Sequence, residues 1–459
     1  MIGLSIQEVC EAVQGELEAG LNDIYVDKVS TDTRSIPPGC LYVALVGQRF
    51  DGHEFISMAV RGGARAVMVS KPIASPDEVS VIRVNDTLVG LQQLAGYLRR
   101  KWQEKIIAIT GSNGKTSTKD LVAAVLETEL NVLKTQGNFN NEIGLPLTLL
   151  NLTRKHQIGV IEMGMRGLGE IALLAKIAQP NIGIITNVGE THLELLGSVE
   201  NIAQAKGELL DYLDPSGVAI LNGDDQRIRQ QAQRYPGEKI FYGFQPENQL
   251  RVISSETTPD GASVFTVQWG TEQHQIKLNI PGQHNVLNAC AAIAVGRYLG
   301  ISWTNIQRAL ASAELTGMRL QVIKQPNGKI INDAYNANPA STVAALGVLQ
   351  EVGAQQRRIA VLGSMFELGS REEAGHREVG RVAASVVDEL VTIGELARFI
   401  AQGASEAGLS NQHVREFADN EAAIAYLRGL LRPGDVVLVK GSRGMHLEEV
   451  IVQLEAFMA

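Results

Sequence analysis

The stretch from Lys105 to Asp120, KIIAITGSNGKTSTKD, constrains the fold of this chain more than any other. Ile106 to Thr110 form an apolar run typical of a buried strand, and the residues from Lys115 favour a helix. Gly111 and Gly114 free the backbone to curl its N–H groups around phosphate, and the helix dipole directs its positive end at the same anion. This order predicts an α/β fold with a nucleotide triphosphate bound at the turn.

Two side chains of this loop have chemical roles in phosphate binding. Lys115 adds a point charge at the outer phosphates, and Thr116 offers a hydroxyl to Mg²⁺. The loop departs from the G-x-x-x-x-G-K-[ST] pattern, because Ile109 stands where the first glycine belongs. The alternative is a Ser/Asn/Gly turn that ends in Lys-Thr by chance, but the order of strand, glycines, Lys, Thr and helix favours phosphate binding. The predicted nucleotide-binding residues of the loop are Gly111, Ser112, Asn113, Gly114, Lys115, Thr116 and Ser117.

Length and charge narrow the class of protein. A chain of 459 residues is long enough for about three domains. A net charge of −9 argues against nucleic acid or an anionic membrane as a partner. The three cysteines have no metal-binding spacing, and no apolar run has membrane-spanning length, so we expect a cytoplasmic protein with reduced thiols.

The strand and helix pattern divides the chain into predicted domains at 1–102, 103–316 and 317–459. In the first, short strands and helices alternate up to RRKWQEK at 99–105, a candidate polar hinge whose alternative is a solvated helix end. The central domain alternates buried strands with helices, which predicts a mostly parallel P-loop-type sheet, followed by antiparallel hairpins in 251–281. The last domain restarts the alternation as a smaller, Rossmann-like sheet. The predicted central strands are Ile106–Thr110, Val132–Lys134, Ile158–Met163, Ile182–Asn187, Val218–Asn222 and Ile240–Tyr242.

Polar residues follow two of these strands at the edge where a parallel sheet binds its ligands. Glu162 ends the apolar run that begins at Ile158, and it replaces the Asp that usually holds the metal of a P-loop site. His192 follows the next strand and, with Glu190 and Glu194 nearby, is a candidate ligand of a second cation. A single histidine more often has a structural role. His192 is favoured as a metal ligand because it lies beyond a strand end on the predicted ligand side.

The loop GSNGKT at 111–116, followed by Glu162 and His192, resembles the Mur ligases, which add amino acids to the bacterial cell-wall precursor. The similarity is strongest to the branch that adds D-alanyl-D-alanine, and the Asp-Asn-Pro-Arg motif of the branch that adds the third residue is absent. The resemblance implies an ATP-dependent amide ligation between UDP-N-acetylmuramoyl-tripeptide and D-alanyl-D-alanine through an acyl phosphate. Five stretches carry it: STDTRSIPPGCLYVAL with GQRFDGHEF (30–55), TQGNFNNEIGLP (135–146), GQHNVLNACAA (282–292), NDAYNANPAS (332–341) and LVKGSRGMHLEEV (438–450).

The resemblance implies roles for residues that bind the UDP-linked substrate. The UDP end would contact Ser30, Asp32, Thr33 and Arg34, and an Arg beside hydroxyl groups suits a pyrophosphate. Without the resemblance, this segment is equally an ordinary capped turn before Pro37. The sugar and peptide would contact the amides of Asn138, Asn140 and Asn141, in a segment that alone is predicted only as a loop.

The same resemblance implies two Mg²⁺ ions and a modified lysine. Relatives carry a carbamylated lysine at the position of Lys206, and capture of CO₂ requires a neutral amine there. By its local pattern alone, Lys206 is an exposed helix residue beside a solvated Glu208. The implied metal ligands are Thr116, Glu162, His192 and Lys206, and the implied catalytic residues are Lys115, Lys206 and His192.

Further residues are assigned to the nucleotide and to the dipeptide. Asn285 and Asn288 would meet adenine and ribose, Arg319 the phosphates, and Asp333, Tyr335 and Asn336 would close over the nucleotide. Lys440, Ser442 and Arg443 follow a strand end, where the carboxylate of the dipeptide would be held. For these last three residues, a turn with a helix cap is the alternative.

We expect the protein to be a monomer. Two other classes of function remain open at this point. A sibling ligase or a folylpolyglutamate synthase-like enzyme shares the loop, the glutamate and the lysine. A regulatory P-loop ATPase would turn over nucleotide without an amide product, and it leaves YNANP and GNFNNEIGLP unexplained.

Overall fold

Three α/β regions follow one another along the chain in the computed structural model, which describes residues 2–74, 78–191 and 193–459. Each of the three larger sheets draws its strands from only one of the predicted domains. The predicted α/β class is therefore confirmed, whereas the boundaries after 102 and after 316 stay predictions. Among the described residues, no helix is both long enough and apolar enough to cross a membrane.

The first region contains a sheet with strand order β2-β7-β6-β5-β4, in which β2 is antiparallel and the other pairs are parallel. Its strands are short because turns with 3₁₀ segments separate them. The elements are β1 (Leu4–Ser5), α1 (Ile6–Val13), β2 (Glu16–Ala19), β3 (Tyr25–Val26), β4 (Val29–Ser30), β5 (Leu41–Val43), α2 (Ile56–Arg61), β6 (Ala66–Val69), β7 (Ser80–Arg83) and α3 (Thr87–Lys101).

The central region is a sheet with strand order β16-β15-β14-β13-β12-β11-β8-β10-β9, parallel from β9 to β14 and antiparallel in the last two pairs. Both the parallel part and the hairpins are as predicted. The elements are β8 (Lys105–Thr110), α4 (Lys115–Leu126), β9 (Val132–Lys134), α5 (Gly144–Leu149), β10 (Ile158–Glu162), α6 (Glu170–Ala178), β11 (Ile182–Ile185), α7 (Leu193–Leu196), α8 (Val199–Asp211), β12 (Val218–Asn222), α9 (Gln226–Gln231), β13 (Glu238–Gly243), β14 (Leu250–Thr257), β15 (Ser263–Trp269), β16 (Glu272–Leu278), α10 (Gln283–Tyr298) and α11 (Trp303–Ala311).

The last region is a sheet with strand order β17-β18-β22-β19-β20-β21, parallel except at β17. The two edge strands, β17 and β21, were not predicted from the sequence. The elements are β17 (Gln321–Gln325), β18 (Gly328–Asp333), α12 (Pro339–Val352), β19 (Arg358–Gly363), α13 (Glu372–Val386), β20 (Glu389–Ile393), α14 (Arg398–Glu406), β21 (Val414–Phe417), α15 (Asn420–Leu430), β22 (Asp435–Lys440) and α16 (Glu448–Met458).

The position of β8 in the central sheet explains where the ligand site forms. The chain runs from β8 to β9 and β10 on one side, and it then returns to place β11 on the other side. The register sets Ile109 beside Glu162 and Thr110 beside Ile185, so the carboxyl ends of β8, β10 and β11 meet. A parallel sheet binds ligands where its strand order reverses in this way.

Most of the segment 99–105 is exposed around the end of α3, as a solvated helix end would be, but Arg99 and Trp102 form a buried joint within it, and its role as a hinge stays a prediction. Arg99 is only 6% exposed and donates to the carbonyl oxygens of Ala178 (2.8 Å), Trp102 (2.5 Å) and Gln179 (3.1 Å). Trp102 is buried in a core that includes residues from both regions, among them Leu98. The guanidinium replaces water at the carbonyl end of α6, which is why a charged residue is stable there.

Replacing Arg99 with Met is expected to lower the apparent unfolding temperature by roughly 5 °C or more, because buried carbonyl oxygens lose their donors. The matched control is Arg100→Met, since Arg100 lies beside it on α3 and is exposed. Differential scanning fluorimetry compares the two. Equal unfolding temperatures for both variants would show that the bonds of Arg99 do not stabilise the joint.

Candidate active site

The loop between β8 and α4 has the backbone that phosphate binding requires. Gly111 (φ +152) and Gly114 (φ +80) both lie at positive φ. A Cβ at Gly111 would stand 1.9 Å from Oγ1 of Thr186, and one at Gly114 would stand 2.5 Å from Oδ1 of Asn288, so only glycine fits. Because Gly114 cannot cap α4 with a side chain, the first N–H groups of the helix stay open to an anion.

The loop is held in place by the end of β11. The N–H of Asn113 donates to Oδ1 of Asn187 at 2.9 Å, and the carbonyl of Asn113 accepts from Nδ2 of Asn187 at 2.9 Å and from Oγ1 of Thr186 at 2.6 Å. Ser112 is tied to the same segment, since its Oγ accepts from the N–H of Gly189 at 2.8 Å. Sequence analysis missed Thr186 and Asn187 as supports of the loop, although the segment TNVGE after a strand was visible.

Lys115 lies at the start of α4 with its ammonium inside the loop. Its Nζ donates to the carbonyl oxygen of Gly111 at 2.8 Å and lies 3.4 Å from that of Ser112. Loss of water around the ammonium lowers the pKa of Lys115, and the nearby carboxylate of Glu162 opposes this change. The charge is therefore placed between the loop and the end of β10, where a terminal phosphate would need it.

Glu162 presents its carboxylate to the cavity beside the phosphate loop. It is buried at 2% exposure, and Nδ2 of Asn140 donates to its Oε1 at 2.7 Å. Its Oε2 is buried and has no hydrogen-bond partner among the described residues, and Glu162 lines the same cavity as Thr116. An unpaired buried carboxylate oxygen beside a hydroxyl suits Mg²⁺, which takes few protein ligands and completes its shell with phosphates and water.

Of the other two predicted metal ligands, His192 and Lys206, the structure describes only Lys206. His192 lies outside the described residues. Within those residues, no group of three or more His, Cys, Asp or Glu side chains is placed to hold a metal ion. A cation at this site would thus depend on Thr116, Glu162 and phosphate oxygens, together with any group supplied at Lys206.

Lys206 is buried, which overturns its interpretation as an exposed helix residue. The side chain on α8 is 2% exposed. Burial lowers the pKa of Lys206 well below its ordinary value, and the charge of Lys115 lowers it further. Glu208 is not solvated either, because its carboxylate accepts from the N–H of Gly169 (2.8 Å) and of Ala172 (3.1 Å) at the start of α6.

A cavity of about 380 Å³ joins the phosphate loop to the C-terminal region. This volume lies in the range of small-ligand pockets. It brings together most of the residues predicted to bind nucleotide: Ser112, Asn113, Gly114, Lys115, Thr116, Ser117, Asn285, Asn288, Arg319, Asp333, Tyr335 and Asn336. The lining also includes residues that were given no individual role from the sequence: Asn187, Asn222, His284, Asn338 and Ser341.

Asn285 and Asn288 form one amide chain on the cavity side of α10. Oδ1 of Asn288 accepts from Oγ1 of Thr118 at 3.1 Å, its Nδ2 donates to Oδ1 of Asn285 at 3.1 Å, and Nδ2 of Asn285 donates to the carbonyl of Pro281 at 2.9 Å. The chain links α10 to the helix that follows the phosphate loop. Contact with adenine and ribose stays a prediction for both residues.

The C-terminal wall of the cavity contains a buried ion pair. Nζ of Lys440 lies 2.5 Å from Oδ2 of Asp333 and donates to the carbonyl oxygen of Asn336 at 2.9 Å. Beside it, the guanidinium of Arg319 stacks over the ring of Tyr335 at 4.1 Å, and within the part of the chain that the structure describes its buried Nε has no hydrogen-bond partner. Lys440 therefore lines the same cavity as the phosphate loop, and these bonds use two of its three N–H donors, so its contact with the dipeptide carboxylate stays a prediction.

Ser442 and Arg443 lie just beyond this wall. Oγ of Ser442 accepts from the N–H of Phe366 at 2.9 Å, which uses the hydroxyl within the fold. Arg443 is exposed and forms a salt bridge to Glu448 at 3.0 Å. Arg443 thus remains accessible to a carboxylate, and binding of the dipeptide by these residues stays a prediction.

The three asparagines of the 138–141 segment differ in position. Asn138 is exposed and lines the cavity, as does Asn140, which donates to Glu162. Asn141 is used in a local turn, because its Oδ1 accepts from the N–H of Gly144 at 2.9 Å before α5. Asn138 and Asn140 are accordingly better placed than Asn141 to meet a substrate.

The predicted UDP-binding residues are not among those that line this cavity. They form a compact turn in the first region, in which Oδ1 of Asp32 accepts from the backbone N–H of Arg34 at 2.9 Å and Oδ2 pairs with its guanidinium at 2.6 Å. This pairing lowers the pKa of Asp32 to about 2. Ser30 supports the turn through its Oγ, Thr33 begins the 3₁₀ segment, and the Arg34 side chain is 87% exposed.

Comparisons with known proteins cover nearly the whole chain. Residues 25–100 match the Mur ligase family catalytic domain, residues 109–296 the Mur ligase middle domain, and residues 318–443 the Mur ligase glutamate ligase domain. The chain is 40% identical over 458 residues to the UDP-N-acetylmuramoyl-tripeptide–D-alanyl-D-alanine ligase of Bacillus subtilis (strain 168), with 99% of both proteins covered.

Two solved structures have the same architecture. The crystal structure of MurF from Acinetobacter baumannii has a TM-score of 0.91 and 31% identity, with 99% of each chain covered. The MurF ligase from Thermotoga maritima in complex with ADP has a TM-score of 0.84 and 28% identity over 94% of this chain and 97% of that chain. By its three matched domains and its full-length relatives, this chain belongs to the Mur ligase family.

Proposed function

We propose that this protein is an ATP-dependent ligase that joins D-alanyl-D-alanine to UDP-N-acetylmuramoyl-tripeptide, a step in peptidoglycan precursor synthesis. The observation that carries the proposal is the cavity in which the phosphate loop, the unpaired Oε2 of Glu162 and the C-terminal residues Arg319 and Asp333 meet. The names of the full-length relatives supply the substrates, and the ADP complex of a relative supports the nucleotide.

The reaction divides into two steps that need little covalent chemistry from the protein. An oxygen of the tripeptide carboxylate attacks the γ-phosphorus, the bond to the β-phosphate oxygen breaks, and ADP leaves. The neutral amine of the dipeptide then attacks the acyl carbon, loses a proton, and expels inorganic phosphate as the amide forms. The protein aligns the carboxylate with the γ-phosphate and stabilises charge with Lys115 and the open N–H groups of α4.

Two Mg²⁺ ions belong to the proposed mechanism. Thr116 and Glu162 would hold the first ion, and His192 with a carbamate on Lys206 would hold the second. When bound, the ions neutralise the charge that develops on the transferred phosphoryl group. Burial suits Lys206 for carbamylation, because it favours an uncharged amine, which would react with CO₂ and gain a carboxylate.

The exposed turn at Asp32 and Arg34 would bind the UDP end of the substrate. Arg34→Ala is expected to raise KM for UDP-N-acetylmuramoyl-tripeptide about 10-fold while KM for ATP stays within about 2-fold, because a guanidinium binds pyrophosphate through charge-assisted bonds. Steady-state ADP release measures both constants. Arg61→Ala is the matched control, since Arg61 is exposed at the end of α2. An equal effect of both variants, or none, would remove Arg34 from the substrate site.

A panel of amine acceptors tests the proposed function against its rivals. We expect ADP release with UDP-N-acetylmuramoyl-tripeptide to require D-alanyl-D-alanine. ADP release with diaminopimelate or lysine and the UDP-linked dipeptide precursor would instead indicate a sibling ligase. ADP release with glutamate and a folate would indicate a folylpolyglutamate synthase-like enzyme. Nucleotide turnover without an acceptor would indicate a regulatory ATPase.

Compartment and assembly state belong to the same proposal. ATP and a UDP-linked precursor are intracellular substrates, so we propose that the protein acts as a monomer in the cytoplasm, without nucleic acid or membrane as a partner. The three cysteines are free, which agrees with a reducing compartment. Light scattering at working concentration tests the monomer.

A further inference from the structure

Asn338 caps α12, and its side chain reaches from the C-terminal region to the phosphate loop. Its Nδ2 donates to Oδ1 of Asn113 at 2.8 Å. We infer that Asn338 is a positioning residue that couples docking of the C-terminal region to the conformation of the phosphate loop. The C-terminal region, which would bind the dipeptide, then docks only against a correctly folded loop. The inference rests on the proposed ligase function and adds a residue to it.

The side chain of Asn338 is fixed within its own region. Its Oδ1 accepts from the N–H of Ser341 at 2.9 Å, its own N–H donates to Oγ of Ser341 at 3.1 Å, and Pro339 begins the helix. Reciprocal bonds of this kind are a capping box, and a proline at the first helical position suits the entering backbone. The amide of Asn338 therefore moves together with the first turn of α12.

This capping bond also settles which atom of Asn338 faces the loop. The N–H of Ser341 is a backbone donor, so the atom that it meets must be the carbonyl oxygen of the amide. The NH₂ group then points across the boundary, and the atom of Asn113 that receives it must be Oδ1. The contact is thus a directed hydrogen bond between two regions, with both partners half-buried.

Asn113 is held as firmly on the other side. Both of its backbone polar groups are bonded to the end of β11, through Asn187 at 2.9 Å twice and Thr186 at 2.6 Å. A continuous set of bonds consequently runs from β11 through the phosphate loop to α12. The residues that follow Asn338, including Ser341, line the same cavity as the loop, so a shift of α12 changes the site itself.

A second contact between the central and C-terminal regions does not belong to this set of hydrogen bonds, and it provides a control. Arg371 pairs with Glu190 at 2.9 Å, and both side chains are more than one third exposed. Exposed ion pairs contribute little because water and salt screen them. Removing Arg371 therefore tests whether any lost contact between the regions has the same effect as the loss of the Asn338 amide.

Asn338→Ser separates the cap from the contact with the loop. Serine keeps a capping oxygen for α12 but has no NH₂ group to reach Asn113. We expect kcat to fall about 3- to 10-fold and KM for D-alanyl-D-alanine to rise by a similar factor, while KM for UDP-N-acetylmuramoyl-tripeptide stays within about 2-fold. Arg371→Gln is expected to stay within about 2-fold of the parent in all three constants. Asn338→Thr, which also keeps the cap, serves if the serine variant does not fold.

A double-mutant cycle and a scattering measurement complete the test. Adding Asn338→Ser to Asn113→Ala should lower kcat by less than about 1.5-fold further, because the shared bond is already lost. With ADP and UDP-N-acetylmuramoyl-tripeptide bound, small-angle X-ray scattering should give a larger radius of gyration for Asn338→Ser than for the parent. Additive kinetic effects, or parent-like kinetics and scattering for Asn338→Ser, would overturn the inference. If the parent forms no amide, the proposed function fails, but the scattering comparison still decides the coupling.

Discussion

Lys115→Ala is expected to reduce ADP release by about 10³-fold in the presence of both substrates, since the variant loses the charge next to the terminal phosphate. The ammonium is placed for this task, because it lies inside the loop and close to the carboxylate of Glu162. A coupled assay of ADP release with UDP-N-acetylmuramoyl-tripeptide and D-alanyl-D-alanine measures the effect.

The matched control for this substitution is Lys105→Ala. Lys105 is the exposed first residue of β8, at the opposite end of the strand that leads into the loop. Its loss should leave the rate within about 2-fold of the parent, as is usual for an exposed residue at a distance from the reacting groups. Near-normal ADP release by a folded Lys115→Ala variant would contradict the assignment of the phosphate loop.

Lys206→Ala is expected to lose activity by about 10²-fold or more, and added bicarbonate should not restore it. The reason is that the buried amine would bind a cation only after it gains a carboxylate from CO₂. The parent should lose activity in CO₂-depleted buffer and recover it when bicarbonate is added. Rates measured across a bicarbonate series separate these two responses.

Two further variants distinguish the loss of the carbamate from other effects of replacing Lys206. Lys206→Arg keeps a positive charge but offers no amine that CO₂ modifies, so it should be as inactive as Lys206→Ala. Lys176→Ala removes an exposed lysine from α6 and should behave as the parent. In ¹³C-bicarbonate, the parent should show a carbamate carbon signal by NMR that Lys206→Arg lacks. Full turnover by Lys206→Ala would contradict the carbamate.

The parts of the fold that the sequence predicted are those in which local pattern and tertiary environment agree. The central strands are buried on both faces, so each reads as a continuous apolar run such as Ile158–Glu162. The edge strands β17 and β21 have the mixed sequences QVIKQ and VREF, which give no such signal. The phosphate loop was recognisable because its glycines, Lys115 and Thr116 must occur in one order.

The features that sequence analysis missed depend on partners far away in the chain. Lys206 and Glu208 have the pattern of an exposed helix face, but α6 packs against α8 and takes Glu208 as the partner of its first N–H groups. Arg99 lies in a charged run, and only the fold brings it to the carbonyl end of α6. The bond between Asn113 and Asn338 joins residues 225 positions apart, so no local pattern indicates it.

The most direct test of the proposed ligase follows oxygen from the substrate to the product. With ¹⁸O in the tripeptide carboxylate, we expect one ¹⁸O in the released phosphate, one amide product per ADP, and neither product when D-alanyl-D-alanine is omitted. Mass spectrometry of the phosphate and of the UDP-linked product measures both quantities. Release of unlabelled phosphate, or ADP formation without a matching amount of amide, would contradict a ligase that works through an acyl phosphate.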